Sequence, residues 1–167
     1  RQPQNHRLRA ILISPLQLNN YFVTELSCRS NQAYDPLAKD SLNEGQIHCT
    51  VELGTAQSVP DHYMVALVIV VEPSEIRPAL DAYHIKIRIE GFFNFKPEAN
   101  VSQPQKNKLV QLNGCSILMG LARGLVAQAT GVSEFGKYLL PAVNFVDILK
   151  AQERVAVHAG TEEAPAP

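Results

Sequence analysis

Apolar residues recur along this chain in two rhythms, and the change from one to the other falls near residue 100. From residue 47 the alternation is strict, with Ile47, Cys49, Val51 and Leu53 on one face and His48, Thr50 and Glu52 on the other, the period of a half-exposed strand. Tyr83, Ile85, Ile87 and Ile89 repeat that pattern against His84, Lys86, Arg88 and Glu90. Residues 63–71 are apolar on both faces, as in a strand covered from two sides. The aromatic and β-branched run of residues 21–26 centres a further extended segment over 11–28, interrupted at Pro15 and Asn19-Asn20. Pro60-Asp61 and the stretch from Pro73 to Pro78 mark turns. Four strands in succession predict an antiparallel meander. Gly91, just past the fourth alternation, predicts a bulge before Phe92 and Phe95.

Beyond residue 100 the spacing becomes helical. In residues 114–129, Ile117, Leu118, Leu121, Leu125 and Ala129 follow the spacing of one helical face, and Cys115, Met119, Ala122 and Val126 make the opposite side almost as apolar. Such a helix needs cover nearly all round, and sixteen positions fall short of the roughly 20 that cross a bilayer. The strands can cover one side; a second subunit or an apolar ligand must cover the other. Gly120 and Gly124 share one face, each costing about 1 kcal/mol against Ala, and small residues at that spacing admit close backbone contact in membrane helices. By analogy, Gly120 and Gly124, with their neighbours Met119 and Arg123, are assigned to an oligomer interface.

Residues 105–113 predict a short lead-in helix, Gly131 a C-terminal cap, and Asn144 the cap of a last helix from Phe145 to about Val157. The expected class is therefore α+β: a four-stranded antiparallel sheet followed by a long helix and a shorter C-terminal helix. Residues 1–15 are expected to be a flexible segment, 16–157 one domain, and 158–167 a disordered tail. The connection over residues 29–45 is long for a compact domain yet carries Tyr34, Leu37 and Leu42. Long loops are often functional, and apolar residues on one can wall a groove.

Composition changes this picture mainly by exclusion. With 46% hydrophobic residues over 167 positions a substantial core is attainable. A formal charge of −1 gives no electrostatic case for nucleic acid or an anionic membrane as partner. The apolar run after Arg7 and Arg9 is short and stops at Pro15, so neither a signal peptide nor membrane insertion is expected, and a cytoplasmic location is. Cys28, Cys49 and Cys115 are odd in number and lack a CxxC pair, which fits a reducing compartment and small buried hydrophobes. No phosphate loop, GxSxG or HExxH occurs. The expectations are no catalysis, no metal and no cofactor. His48 and His84 lie on polar strand faces as neighbours at most, Glu52 and Glu90 form no evident dyad, and a helix-start Cys115 would be the one thiol open to activation.

At residues 83–95, with Ile-Glu-Gly-Phe-Phe in their second half, the chain resembles the SecB family of export chaperones. The likeness continues through Cys115-Ser-Ile-Leu-Met-Gly-Leu-Ala-Arg123, is clearest at Leu140-Pro-Ala-Val-Asn-Phe145, and includes the first-strand stretch from Phe22 to Ser27. It spans about residues 16–150 in matching order. The resemblance implies ATP-independent holding of unfolded polypeptides in apolar grooves, a homotetramer built as a dimer of dimers, and delivery to the SecA motor through an acidic sheet surface. Glu25 stands where one of those carboxylates is expected, whereas Arg29 and Lys86 reverse the charge at two others. Gly120 departs from the family's usual Pro. Some divergent relatives instead serve an antitoxin in a toxin–antitoxin module, which makes an antitoxin the alternative partner. The groove-lining assignment is Tyr34, Leu37, Leu42, Ile47, Cys49, Val51, Leu118, Leu121 and Leu125. A hot-dog acyl thioesterase also wraps a sheet round an apolar helix. There the helix comes early among the strands, and here it follows them.

Overall fold

The computed structural model describes residues 14–38, 46–55, 60–96 and 100–159, with backbone alone for residues 153 and 155–159. Leu42, the chain before residue 14 and the tail from residue 160 lie outside this set. Four strands, β1 (Leu16–Ser30), β2 (Gln46–Thr55), β3 (His62–Glu72) and β4 (Tyr83–Phe95), form one antiparallel sheet. Its order is β1-β4-β3-β2. Only β2, β3 and β4 form the expected meander. β1 crosses over to pair with β4, which the long connection after Ser30 permits, and β2 is thereby left as an edge strand.

The backbone phase across the sheet follows from two bonds at its ends. The Lys96 N–H donates to the Pro15 carbonyl at 3.1 Å and the Asn31 N–H to the Ala82 carbonyl at 2.8 Å, so even-numbered residues of β4 turn their backbone groups to β1. Odd ones then face β3, where Ile89 opposes Leu67, and the even residues of β3 face β2, where Val68 opposes Thr50. The odd residues of β2, among them Cys49, Val51 and Leu53, point their N–H and C=O groups to the open edge.

One face of the sheet carries the core. Val65, Leu67 and Ile69 of β3 and Ile85, Ile87, Ile89 and Phe93 of β4 are buried there. They lie beneath Cys115, Leu118, Ala122 and Val126 of the long helix, all fully buried. Gly91 does not mark a bulge, for β4 runs unbroken. The register shifts fall in β1, between Leu18 and Asn20 and between Val23 and Glu25, the first of them at the Asn pair. Gly91 is required instead by packing: an added Cβ would stand 2.7 Å from Leu118 Cδ2 and 2.8 Å from Phe93 Cε2.

The helical part is longer than the pattern predicted. α1 (Gln103–Leu109) runs through a π-turn at Val110–Gly114 into α2 (Cys115–Thr130). Ser102 and Gln105 form a capping box at its start. These 28 continuous residues are long and apolar enough to span a membrane by length and composition alone, which corrects the shorter estimate. The row from Cys115 to Val126 is spent on the sheet, as in a core helix. Gly131 ends α2 in right-handed backbone at φ −62°, not as a left-handed cap. Thr130 Oγ1 makes the turn, donating to the Val126 carbonyl at 2.7 Å and accepting from the Tyr138 N–H at 2.8 Å. Asn144 caps α3 (Phe145–Ala159), its Oδ1 accepting from the Val146 N–H at 3.1 Å.

Candidate functional site

The open edge of β2 borders a groove whose other wall is α3 and the extended segment before it. Buried Leu140 and Phe145 anchor that wall to the core. The cap at Asn144 then aims α3 so that Ile148 faces Ile47 and Cys49 across a cavity of about 470 Å³, floored by Pro141 and Val143. Further along the edge, Gln152 Nε2 donates to the Val51 carbonyl at 3.1 Å, while its Oε1 is buried with no hydrogen-bond partner. Past Gln152 a second cavity of about 240 Å³ opens between Leu53, Thr55 and Tyr63 and the π-turn, where Val110 and Gln111 line it. π-turns occur frequently at functional sites because they displace a helix face locally.

The opposite face of the sheet is laced with charge pairs. Arg88 reaches across β3 to hold Glu52 with two hydrogen bonds of 2.8 Å each and bonds Glu90 at 2.9 Å. These bonds hold the Glu52 carboxyl below its ordinary value and the Arg88 guanidinium above its own. Lys86 meets Glu25 at 3.0 Å and His84 meets Glu72 at 2.7 Å. At one end of this face Phe22 and Phe92 stack edge-on, 5.8 Å apart and exposed.

Burial pushes the Cys49 thiol up to about 11 and the Cys115 thiol up to about 12, so neither is a thiolate near neutrality. Cys115 sits mid-helix, not at a helix start, and the activation considered from sequence is overturned. Glu52 and Glu90 share one guanidinium instead of facing each other. His48 opposes Val70, so β3 separates it from His84. Among the described residues no cluster of His, Cys, Asp or Glu could hold a metal.

The family model for SecB, preprotein translocase subunit SecB, matches residues 13–156. The chain belongs to the SecB family. Among solved structures, the Mycobacterium tuberculosis SecB-like chaperone Rv1957, in complex with a ChAD peptide from the Rv1956 HigA1 antitoxin, superposes with a TM-score of 0.57. It is 10% identical, over 78% of this chain and 91% of that one. A protein of unknown function from Streptococcus agalactiae gives a TM-score of 0.42 at 12% identity, over 76% of this chain and 97% of that one. A search of curated proteins finds no match. The likeness to the Rv1957 fold confirms the α+β plan.

Within this SecB fold the residues assigned from sequence divide into three groups. Ile47 and Cys49 line the larger cavity, and Val51 sits between the cavities with its side chain buried in the core. Tyr34 packs edge-on against Phe135 at 4.8 Å, in an aromatic cluster with Tyr83 and Tyr138. Tyr83 and Gln46, opposite Ser30 and Glu72, put that cluster and the larger cavity at the same end of the sheet. Leu37 stands 83% exposed. Leu121 and Leu125 are half-buried against the core, whereas Leu118 is fully buried over Gly91, where no client can reach it. Met119 is likewise a core residue, while Gly120, Arg123 and Gly124 are exposed on α2. Glu25 is tied to Lys86. Leu53, Ile148 and Gln152 were missed. Leu53 carried a signal, as the fourth member of the β2 alternation; Ile148 and Gln152 reach the groove only because α3 folds back.

Proposed function

We propose that this SecB-family protein is an ATP-independent holdase that keeps apolar segments of non-native polypeptides in the groove between β2 and α3. The observation that carries this reading is the pair of cavities, each lined in part by apolar side chains, along one strand edge whose backbone is turned outward. Each client Leu or Phe buried there gains about 1.5–3 kcal/mol, offset by ordering of the bound chain. Leu37 and Tyr34, at the groove end of the sheet, extend the apolar surface, together with Leu121 and Leu125; Leu42 belongs to the same connection.

The working particle in this reading is a cytoplasmic homotetramer, a dimer of dimers. Its support is apolar surface left bare in one chain: Tyr21, Val23 and Leu26 of β1 and Ile117 of α2, beside a helix face where Gly120 and Gly124 have nothing within 4 Å of an added Cβ. Arg123 lies on that exposed side. The partner we favour is an antitoxin-type peptide, as in the Rv1957 complex, ahead of SecA. Lys86 and Arg88 already pair with Glu25, Glu52 and Glu90, which leaves one net negative charge among the five and weakens the field that would steer a basic surface onto the sheet.

The test is light scattering from a chemically unfolded protein diluted without nucleotide. An equimolar amount of the tetramer should suppress its aggregation, and size-exclusion chromatography with light scattering should give four times the chain mass. Undiminished aggregation would reject the holdase reading.

A further inference from the structure

We propose that α1 is a hinged strap, clipped across the end of the sheet by Lys106 and Asp61, which lifts about the π-turn and uncovers the ring pair of Tyr63 and Phe95. Such a movement needs no client and is independent of the holdase reading above.

α1 is held lightly. It contains no buried residue, and its one large apolar side chain, half-buried Leu109, is the last of the helix, beside the π-turn. The rest is held by polar tips. Lys106 Nζ meets Asp61 Oδ1 at 2.6 Å and lies over the Phe95 ring, 5.5 Å from its centre. Gln103 Nε2 donates to the Tyr63 hydroxyl at 2.9 Å. Open space adjoins two faces of this helix. The cavity of about 240 Å³ reaches Asn107, and a further cavity of about 500 Å³ lies against Gln105, Lys108 and Leu109, which at 3.6 residues per turn fall on the opposite side. An element with room on both sides is not wedged as core elements are.

The π-turn at Val110–Gly114 supplies the hinge, since helices bend sharply at such irregularities. It also divides the helix by burial: Cys115, Leu118 and Ala122 beyond it are enclosed against the sheet, and nothing in α1 is. α1 keeps its form when lifted, because Ser102 and Gln105 close its N-terminal end between themselves. The clip stands on unusual backbone. Asp61 has φ 60°, the one positive value outside glycine among the described residues, and such positions cluster at switch regions. What lies beneath is apolar. Tyr63 and Phe95 meet edge-on at 5.6 Å, both buried, and Tyr63 also lines the smaller cavity. Lifting α1 therefore adds aromatic surface at that end of the sheet. Because Asp61 is partly exposed, salt screens the ion pair and favours the lifted position.

The experiment compares two thiols in the intact protein. Val110→Cys places one at a buried position lining the smaller cavity, and the natural Cys115, enclosed beyond the hinge, is the internal reference. Alkylation by a maleimide is read at each site by tandem mass spectrometry. Position 110 should react at least tenfold faster than Cys115. Adding Asp61→Asn removes the charge and keeps a residue suited to positive φ; it should raise the rate at position 110 fivefold or more and leave Cys115 unchanged. Raising NaCl from about 0.05 M to about 0.5 M should quicken position 110 while Asp61 is present and not in the Asp61→Asn protein. Position 110 as slow as Cys115 with and without Asp61→Asn would overturn the strap. Acceleration of both thiols together would put the opening in the whole helix and overturn the hinge. Amide exchange on the natural chain and on Asp61→Asn alone gives a second measurement, free of any loosening by the new cysteine. Asp61→Asn should speed exchange across Val110–Gly114 and leave residues 118–126 unchanged; a π-turn that exchanges no faster overturns the proposal.

Discussion

Replacing Gly91 with Ala tests how the sheet and α2 are joined. The new Cβ would lie 2.7 Å from Leu118 Cδ2, 2.8 Å from Phe93 Cε2 and 3.2 Å from Leu18 Cδ1, whereas carbon atoms rest at about 3.5–4.0 Å. Leu118 and Phe93 are themselves enclosed, so relief requires α2 to lift or a ring to leave its rotamer. Overpacking of this kind costs about 1–3 kcal/mol. Against it stands a gain of about 0.4–1 kcal/mol from a less flexible unfolded chain. The clash wins. At mid-range values the net cost is about 1.3 kcal/mol, and for a chain of this size each kcal/mol moves Tm by roughly 2–4 °C, giving a net loss of about 3–5 °C for Gly91→Ala. Circular-dichroism melts at one fixed protein concentration read it, because assembly makes Tm depend on concentration. Gly120→Ala is the contrast, since its Cβ meets nothing within 4 Å in one chain: α2 should gain up to about 1 kcal/mol of helix propensity where that face is open and lose stability where a second subunit covers it. A Gly91→Ala protein as stable as the parent would refute the close seating of Leu118 on β4.

Two further predictions follow from buried polar groups. Thr130→Val keeps the shape but leaves the Tyr138 N–H without its acceptor, which should cost about 1–3 kcal/mol in urea denaturation; an unchanged midpoint would show that the N–H finds another partner. Burial raises the Cys28, Cys49 and Cys115 thiols above the ordinary value of 9.0. Their contribution to stability is therefore full below pH 9 and is lost as pH rises through the folded-state values, because the unfolded chain releases its thiol protons first. At pH 8 the native protein should react slowly with a disulfide reagent at Cys49 and Cys115 and rapidly once unfolded, and equal rates in both states would contradict the burial.

The sequence by itself determined the elements and the class. The alternation through Ile47–Leu53 and Tyr83–Ile89, the helical spacing around Leu118 and the Asn144 cap are local, and each is set by which side of one element can be wet. The same patterns, with the motif from Leu140 to Phe145, carried the family. What only the tertiary structure decided is which strands are neighbours. A run of four strands reads as a simple meander, but β1 pairs with β4 through residues as distant as Leu16 and Phe95, and no local period encodes a pairing of that range. That one choice turns β2 outward. It also separates Leu118 and Met119, spent on the core, from Leu53 and Gln152, which reach the groove. A helix apolar all round looks the same in sequence wherever its partners lie; the sheet beneath it settles which of its side chains remain to bind anything else.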